Sequence, residues 1–424
     1  MFKTLRNAWQ IPELRKKLIF TALIMLLFRL GSTVPVPFIN SDILGSYYDA
    51  FLSNTILGLY NAMSGNAFSS ATVLALGIQP YINASIIIQL LTIAIPALER
   101  LSKEGGEEGK KKLNRITRYT TVGLGLLMGW AYYMMLVNQQ NSGYKILTET
   151  NLLSALVIIL TFTAGSAVVM WLGEQITEHG IGNGISMILF ANIISRLPDM
   201  TVTTLGMGWW CIPVIVGMGA LIILIVFVND AERRIPVQYA KRVVGRKVYG
   251  GQSTDLPIKV SMTGVMPIIF AQSISSLPAT ICAFIPGGME SWVYKNMFDS
   301  TTWVYAVCYF LLIFFFSWFY ASIQYDPVEI SNNLKKNGGF IPGFRPGKPT
   351  ADFIKKVINK IVIFGAIYLS VVALLPIIAG NMFQGVKELA IGGTSIIIVV
   401  SVALETVKAL EAQMLMRHYK GFLD

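Results

Sequence analysis

Charge is what this sequence has least of. Asp, Glu, Lys and Arg make up 13% of its 424 residues, against about 25% in a soluble domain. That shortage argues against an ordinary water-soluble globule. Histidine is rarer still. His179 and His418 are the only two, and neither stands in a metal-ligand spacing. The three cysteines, Cys211, Cys282 and Cys308, fall in apolar runs with no paired spacing. They read as small core residues and are silent about redox compartment. No G-x-S-x-G elbow and no G-x-x-x-x-G-K-[ST] phosphate cradle occurs. These absences argue against an NTP motor or an intramembrane protease. The chain reads as a non-enzyme without a cofactor, and any driving force has to come from a partner.

What is present is apolar. Hydrophobic residues reach 54% and the mean hydropathy is +0.59. Long apolar runs predict an all-α polytopic membrane protein, because continuous runs replace the alternation of a transmembrane barrel. Ten spans are expected at 18–38, 74–98, 119–137, 152–172, 185–197, 209–228, 260–285, 303–320, 361–380 and 389–407. The first run has no small-residue cleavage site and reads as a retained span, not a leader. Residues 2–17, with Trp9 among lysines and arginines, read either as an interfacial amphipathic helix or as a solvated charged tail.

The 34 Lys and Arg are distributed unevenly: all but Arg29, Lys145, Arg196, Lys295 and Lys387 lie in alternate connections or in the two terminal segments. The positive-inside rule then predicts both termini and the basic loops in the cytoplasm. An even span count agrees. Such basic loops suit anionic lipid, or they form a docking face for large acidic partners. In 229–259, IPVQYAKRVVGRKVYGG alternates β-branched and basic residues around Gly245 and predicts a projecting hairpin. In 321–360, NLKKNGGFIPGFRPGKPT fits an ordered protruding loop better than a helix.

The second span of each half carries the same punctuation. Gly77, Pro80, Ile82 and Ala84 recur at identical spacing as Gly264, Pro267, Ile269 and Ala271. A weaker match relates Gly184-Ile185-Ser186 to Gly393-Thr394-Ser395. Five spans per half make any repeat inverted, dividing the chain into 1–200 and 201–424. Paired Gly/Pro-interrupted spans point to a transport path. Coincidence is the alternative, since both residues are common in membrane helices.

Ionisable residues inside the spans are scarce. Arg29 lies in the first, where it bridges to helix-end carbonyls or to a neighbouring span, and Glu405 lies near the end of the tenth. An ion-coupled carrier usually needs a mid-span relay, so that class is disfavoured. Isoleucines fall instead at the repeat-related positions: Ile78, Ile82, Ile185, Leu189, Ile269 and Ile398. As a ring they would block ions by dewetting. As ordinary packing or lipid-facing residues they would do nothing special.

Several motifs occur in order over nearly the whole chain: ALGIQPYINASIIIQLL, KEGGEEGKKKLNRITRY, WLGEQITEHGIGNGIS, QSTDLPIKV with GVMPIIFA, NLKKNGGFIPGFRPG and GGTSIIIVV. In these the chain resembles the SecY family of protein-conducting channels. The resemblance implies ten helices in two inverted five-helix halves, closed like a clamshell around an hourglass pore. It implies a pore ring at Ile78, Ile82, Ile185, Leu189, Ile269 and Ile398. It implies a short plug helix over 57–70, including Leu57, Tyr60, Met63, Ser64, Gly65 and Asn66. Polar lateral-gate residues map onto Asn83, Gln89, Gln272 and Ser273. Partner docking maps onto Lys241, Arg242, Arg246, Lys247, Lys335, Lys336, Arg345 and Lys348, with Arg345 foremost for a motor. Lys247 keeps charge where relatives carry arginine but lacks the bidentate fork. The implied partners are the small membrane subunits SecE and SecG, the SecA motor ATPase, the ribosome, unfolded preproteins or their signal sequences, and anionic lipids. The implied location is a bacterial cytoplasmic membrane. An uncoupled small-solute or lipid transporter of inverted-repeat type is the competing reading.

Overall fold

The computed structural model of the chain describes all residues except 1, 53–55, 142–143, 207, 240–241, 245–246, 250–252, 262–263, 285–290, 293–301, 383–386 and 421–424. Among the described residues it is an all-α bundle with two small sheets. At the N-terminus, α1 (Phe2–Gln10) and α2 (Pro12–Gly31) are separate helices. Ile11 is extended and Pro12 opens the next helix, the conformation a pre-proline residue prefers. The single helix considered for 2–17 is therefore two, and α2 already contains its second half. The first span was expected to reach residue 38. It ends at Gly31, and Pro35 instead bridges to Thr72.

Next comes α3 (Ser41–Tyr47), whose N-terminus is capped by the Asn40 side chain accepting from the Ile43 amide. A wide turn at Tyr48–Leu52 precedes α4 (Ile56–Ser64). Residues 65–78 form no helix. They turn repeatedly, with left-handed backbone at Gly65, Asn66, Ala71 and Gly77. The second span, expected over 74–98, begins only at α5 (Gln79–Ala94). It breaks at Ile95, and α6 (Pro96–Lys103) leaves at 107°. Proline explains that bend, since it supplies no amide to continue the helix.

The long helices α7 (Gly106–Asn141) and α8 (Leu152–His179) carry the third and fourth spans well beyond their apolar limits. The fifth span is α9 (Gly184–Ser195), followed closely by α10 (Leu197–Gly206); α11 (Cys211–Asp230) is the sixth. The hairpin read in 229–259 is present. Strand β1 (Glu232–Tyr239) leads to β2 (Arg242–Val244), which pairs with β3 (Lys247–Tyr249), and β4 (Ser253–Lys259) returns antiparallel on β1. The seventh span starts six residues later than expected, as α12 (Met266–Phe284), two residues after the left-handed Gly264.

After α13 (Trp303–Gln324), the basic segment 321–360 is more helical than its Gly/Pro content suggests. Helix α14 (Pro327–Lys336) is capped by Asp326, whose carboxylate accepts from the Val328 and Glu329 amides. Strand β5 (Gly339–Phe340) adds to β1, giving the order β4-β1-β5. Helix α15 (Lys348–Met382) then begins far ahead of its apolar run, and α16 (Lys387–Lys420) ends the fold. Only residues 337–347 remain as the expected protruding loop.

Among the described residues, six helical stretches are long and apolar enough to cross a membrane: α7, α8, α9 with α10, α11, α13 and α15. The bent pair α5/α6 makes a seventh. The count of ten expected spans rests in addition on α2, α12 and α16, which are not among these. The largest core is built by Ile24 and Phe28 of α2, Ile82 and Ile86 of α5, Val169 and Leu172 of α8, and their counterparts on α9, α12, α13, α15 and α16. A second core lies under α3, α4 and the 65–76 turns, against α7 and α8. There α8 approaches through Gly165, where an added Cβ would sit 1.9 Å from the Val73 carbonyl oxygen.

Candidate functional site

Two helices start inside the bundle by the same device. Gly77 is left-handed at φ +54° and α5 begins two residues later with Pro80 second; Gly264, at φ +59°, stands in the same relation to α12 and Pro267. Only glycine adopts that backbone at little cost, and proline suits a first turn whose amides have no partner. The residue match between these stretches thus extends to local conformation. The weaker match does not: Gly184 opens α9 behind the Asn183 cap, whereas Gly393 lies inside α16.

Ile78 and Ile82 enter the interior from α5, Leu189 from α9, Ile269 from α12 and Ile398 from α16. All five are at most 3% exposed and belong to one apolar cluster, with Ile185 packed partly buried against it. The six residues singled out as a ring are therefore brought together, although they come from positions 320 apart in sequence. Met63 of α4 joins the same cluster.

Around Met63 the α4 segment is held by polar contacts. Leu57, Tyr60, Met63, Ser64 and Gly65 are buried and Asn66 is half-buried. The Tyr60 hydroxyl donates to the Leu76 carbonyl at 3.1 Å. Asn192 Nδ2 of α9 donates to the Met63 carbonyl at 2.8 Å, and Arg29 Nη1 of α2 lies 3.5 Å from the Gly65 carbonyl. Gln79 Nε2 reaches Met63 Sδ at 3.3 Å.

The polar residues assigned to a gate divide. Asn83, Gln272 and Ser273 are buried, while Gln89 is only half-buried. Ser273 Oγ donates to Gln79 Oε1 at 3.3 Å, which ties α12 to the start of α5. Asn83 Oδ1 and Gln272 Oε1 are buried with no hydrogen-bond partner. Such atoms weaken the packing of a helix seam. Sequence reasoning passed over Gln79 and Asn192 as site residues. Gln79 stands inside the matched Gly77–Ala84 stretch and was legible there, whereas Asn192 is a lone amide in an apolar run.

Of the docking residues, Lys335 and Lys336 are exposed on the last turn of α14. Arg345 is exposed in the turn before α15, and Lys348 is exposed at its first residue. The Arg345 carbonyl accepts from Thr350 Oγ1 at 2.8 Å, which fixes that turn. Arg242 and Lys247 lie in the paired strands β2 and β3. Lys241 and Arg246 lie outside the described residues. Among the described residues no group of His, Cys, Asp and Glu is arranged to hold a metal ion.

The SecY family model matches residues 72–407. The chain is 43% identical to the protein translocase subunit SecY of Streptomyces galbus, over the full length of both. It is 42% identical to that of Corynebacterium glutamicum, covering 98% of this chain and 99% of that one. Two solved structures share the fold. One is described as a protein conducting channel, at a TM-score of 0.66 and 16% identity, over 94% of this chain and 92% of that one. The other is Sec61 in a canine ribosome–channel complex, at a TM-score of 0.62 and 15% identity, with the same coverage. With a matching family model over most of its length and full-length relatives at this identity, the chain belongs to the SecY family.

Proposed function

We propose that this multi-pass membrane protein is a protein-conducting channel, through which unfolded secretory polypeptides cross the bacterial cytoplasmic membrane. One observation carries the reading. Apolar side chains from α5, α9, α12 and α16 converge in one cluster with Met63 of α4 against them. Such a constriction excludes water and ions yet yields to an extended chain. Residues 57–70 act as its plug. Apolar segments of the substrate leave sideways between α5 and α12, where the Ser273–Gln79 hydrogen bond ties the helices and Gln272 Oε1 is buried without a partner, so that the seam separates at low cost. The halves 1–200 and 201–424 are the two leaves that part. The exposed cations Lys335, Lys336, Arg345 and Lys348, with the β2–β3 tip, form the cytoplasmic docking face. A SecA-type motor or a ribosome supplies the drive, SecE and SecG accompany the chain, and both termini are cytoplasmic. Similar solved channels occur in ribosome complexes.

The test is cross-linking. Cysteines at Ile82 and in a stalled secretory polypeptide are expected to form an adduct in membranes. No adduct, together with saturable uptake of a small solute, would establish the competing transporter reading. Arg345→Glu is expected to slow motor-driven export severalfold, and unchanged export removes Arg345 from the docking face.

A further inference from the structure

We infer that Asn192 and Arg29 form a two-donor clasp on the C-terminal end of α4 and set how firmly the channel is closed; this rests on the plug reading of 57–70. The last carbonyls of a helix have no partner within it and carry its negative end. Here the Met63 carbonyl takes a 2.8 Å hydrogen bond from Asn192 Nδ2, and the Arg29 guanidinium stands over the Gly65 carbonyl at 3.5 Å. The donors come from two different helices, α9 and α2. Each already packs in the core, so α4 is gripped against a fixed wall.

The fit is close. Gly65 has φ +65°, and a Cβ placed there would lie 2.6 Å from Arg29 Nη1, 3.1 Å from Asn192 Oδ1 and 3.1 Å from Ser195 Oγ. A side chain at this position would push both donors away. Asn192 is fully buried and its Oδ1 has no partner. An amide with half its hydrogen-bonding capacity unused is a costly choice in an apolar core. Its one contact is the Met63 carbonyl. Arg29 is likewise the single basic residue among the apolar residues of α2 beyond Lys17. Neither residue belongs to the ring, the seam or the docking face. Both are positioning residues that act through α4.

The clasp makes closure adjustable. Moving α4 out of the cluster removes one neutral hydrogen bond and one attraction between a cation and a helix end. Losing a hydrogen bond of ordinary net strength shifts a two-state balance about fivefold. Asn192→Ala, in the channel purified with its accompanying subunits, is expected to raise resting ion conductance in planar bilayers by about that factor. Arg29→Gln is expected to act in the same direction and Arg29→Lys, which keeps the charge, less. In a background lacking residues 57–66, which is itself expected to conduct strongly, Asn192→Ala is expected to add nothing. Wild-type conductance for Asn192→Ala beside a leaking deletion overturns the clasp and leaves the plug reading standing. A deletion that does not leak overturns the plug reading and the clasp with it. An equal added leak in the deletion background assigns Asn192 to another task and also overturns the clasp. If Asn192→Ala accumulates poorly, Asn192→Ser replaces it. Its shorter arm loses the Met63 carbonyl while keeping a polar group, so the same leak is expected and wild-type conductance refutes the proposal.

Discussion

Replacing Ile269 by asparagine tests the constriction at one of its buried positions. The two side chains are close in size, and Ile269 is 2% exposed within the apolar cluster that holds Ile78, Ile82, Leu189 and Ile398. The side chains that share its cluster are apolar, so the new amide is best satisfied by entering water. Burying an amide unpaired costs about 1–3 kcal/mol in proteins. The dry state loses that much relative to a wetted one, so the wetted population rises about five- to hundredfold. The reading is resting conductance of the reconstituted channel with monovalent salt. General loosening is the competing cause, and Ile158 separates it. That residue is fully buried in the second core, away from the ring residues. Ile158→Asn carries the same burial cost and is expected to lower the melting temperature without opening an ion path. Wild-type conductance in Ile269→Asn would refute the constriction, and so would an equal leak in Ile158→Asn. Ile82→Asn, at the matching position of the other helix, is expected to follow Ile269→Asn.

Other expectations follow from the same geometry. Gly165→Ala drives a methyl into the Val73 carbonyl, a backbone atom that cannot swing aside. Overpacking of about 1–3 kcal/mol is expected as a lower melting temperature in detergent, whereas Gly217→Ala, with open space around it, is expected to cost nothing measurable. Asp326→Ala removes the carboxylate that accepts from the Val328 and Glu329 amides. A loss of about 1 kcal/mol is expected, confined to α14 and read as roughly fivefold faster amide exchange there. Burial raises the pKa of Tyr47, Tyr48 and Tyr325 above the usual tyrosine value. The folded state thus holds these protons more tightly than the unfolded one. Their contribution is complete below the unfolded pKa of about 10 and is lost as pH climbs through the raised folded values. Stability is therefore expected to fall above about pH 10 and to be indifferent to these groups near neutrality. Phenylalanine in place of Tyr325 is expected to shrink the alkaline loss.

The sequence carried the architecture further than it carried the boundaries. Apolar runs located α11 and α13 within a few residues, because their limits coincide with where polar residues begin, whereas α8 continues to His179, past its expected end at 172. They failed for α7 and α15, which start at Gly106 and Lys348 among charged residues. Helix formation outlasts hydrophobicity there: lysine and glutamate are good helix formers, and hydropathy reports only the membrane-facing part. The opposite error occurred at 74–78, where apolar residues run on but the chain is not helical, and at the seventh span, whose helix begins only at Met266. The left-handed glycines Gly77 and Gly264 decide those starts, and a hydropathy window does not register them. That Ile82 and Ile269 share one buried cluster was legible because two short punctuated stretches matched. Asn192 was not, because a single amide in an apolar run looks alike whether it clasps a backbone carbonyl or bonds its own helix.

The irregular stretch 65–78 shows how such a fold tolerates non-helical backbone among its apolar helices. In lipid an unpaired backbone group costs several kcal/mol, so irregular chain survives only where protein encloses it. Here the pairing is supplied from every side. Val36 donates to the Ala71 carbonyl and Val73 to the Val34 carbonyl, so the segment after α2 acts as a strand beside it. The Tyr132 hydroxyl of α7 donates to the Phe68 carbonyl at 2.6 Å, and the Tyr60 hydroxyl to the Leu76 carbonyl. Asn61 Oδ1 accepts from the Ser69 amide and Ser64 Oγ from the Phe68 amide. The aromatic rings of Tyr60, Phe68, Tyr132 and Phe162 meet edge to face within 5.0 Å and exclude solvent from these bonds. The stretch is therefore anchored firmly at 66–76, on α7 and α8. The preceding helix α4 is held at its C-terminal end by Asn192 and Arg29. Tyr60, Asn61 and Ser64 of α4 bond into the same stretch, so helix and turns are tied together as well as to α7, α9 and α2.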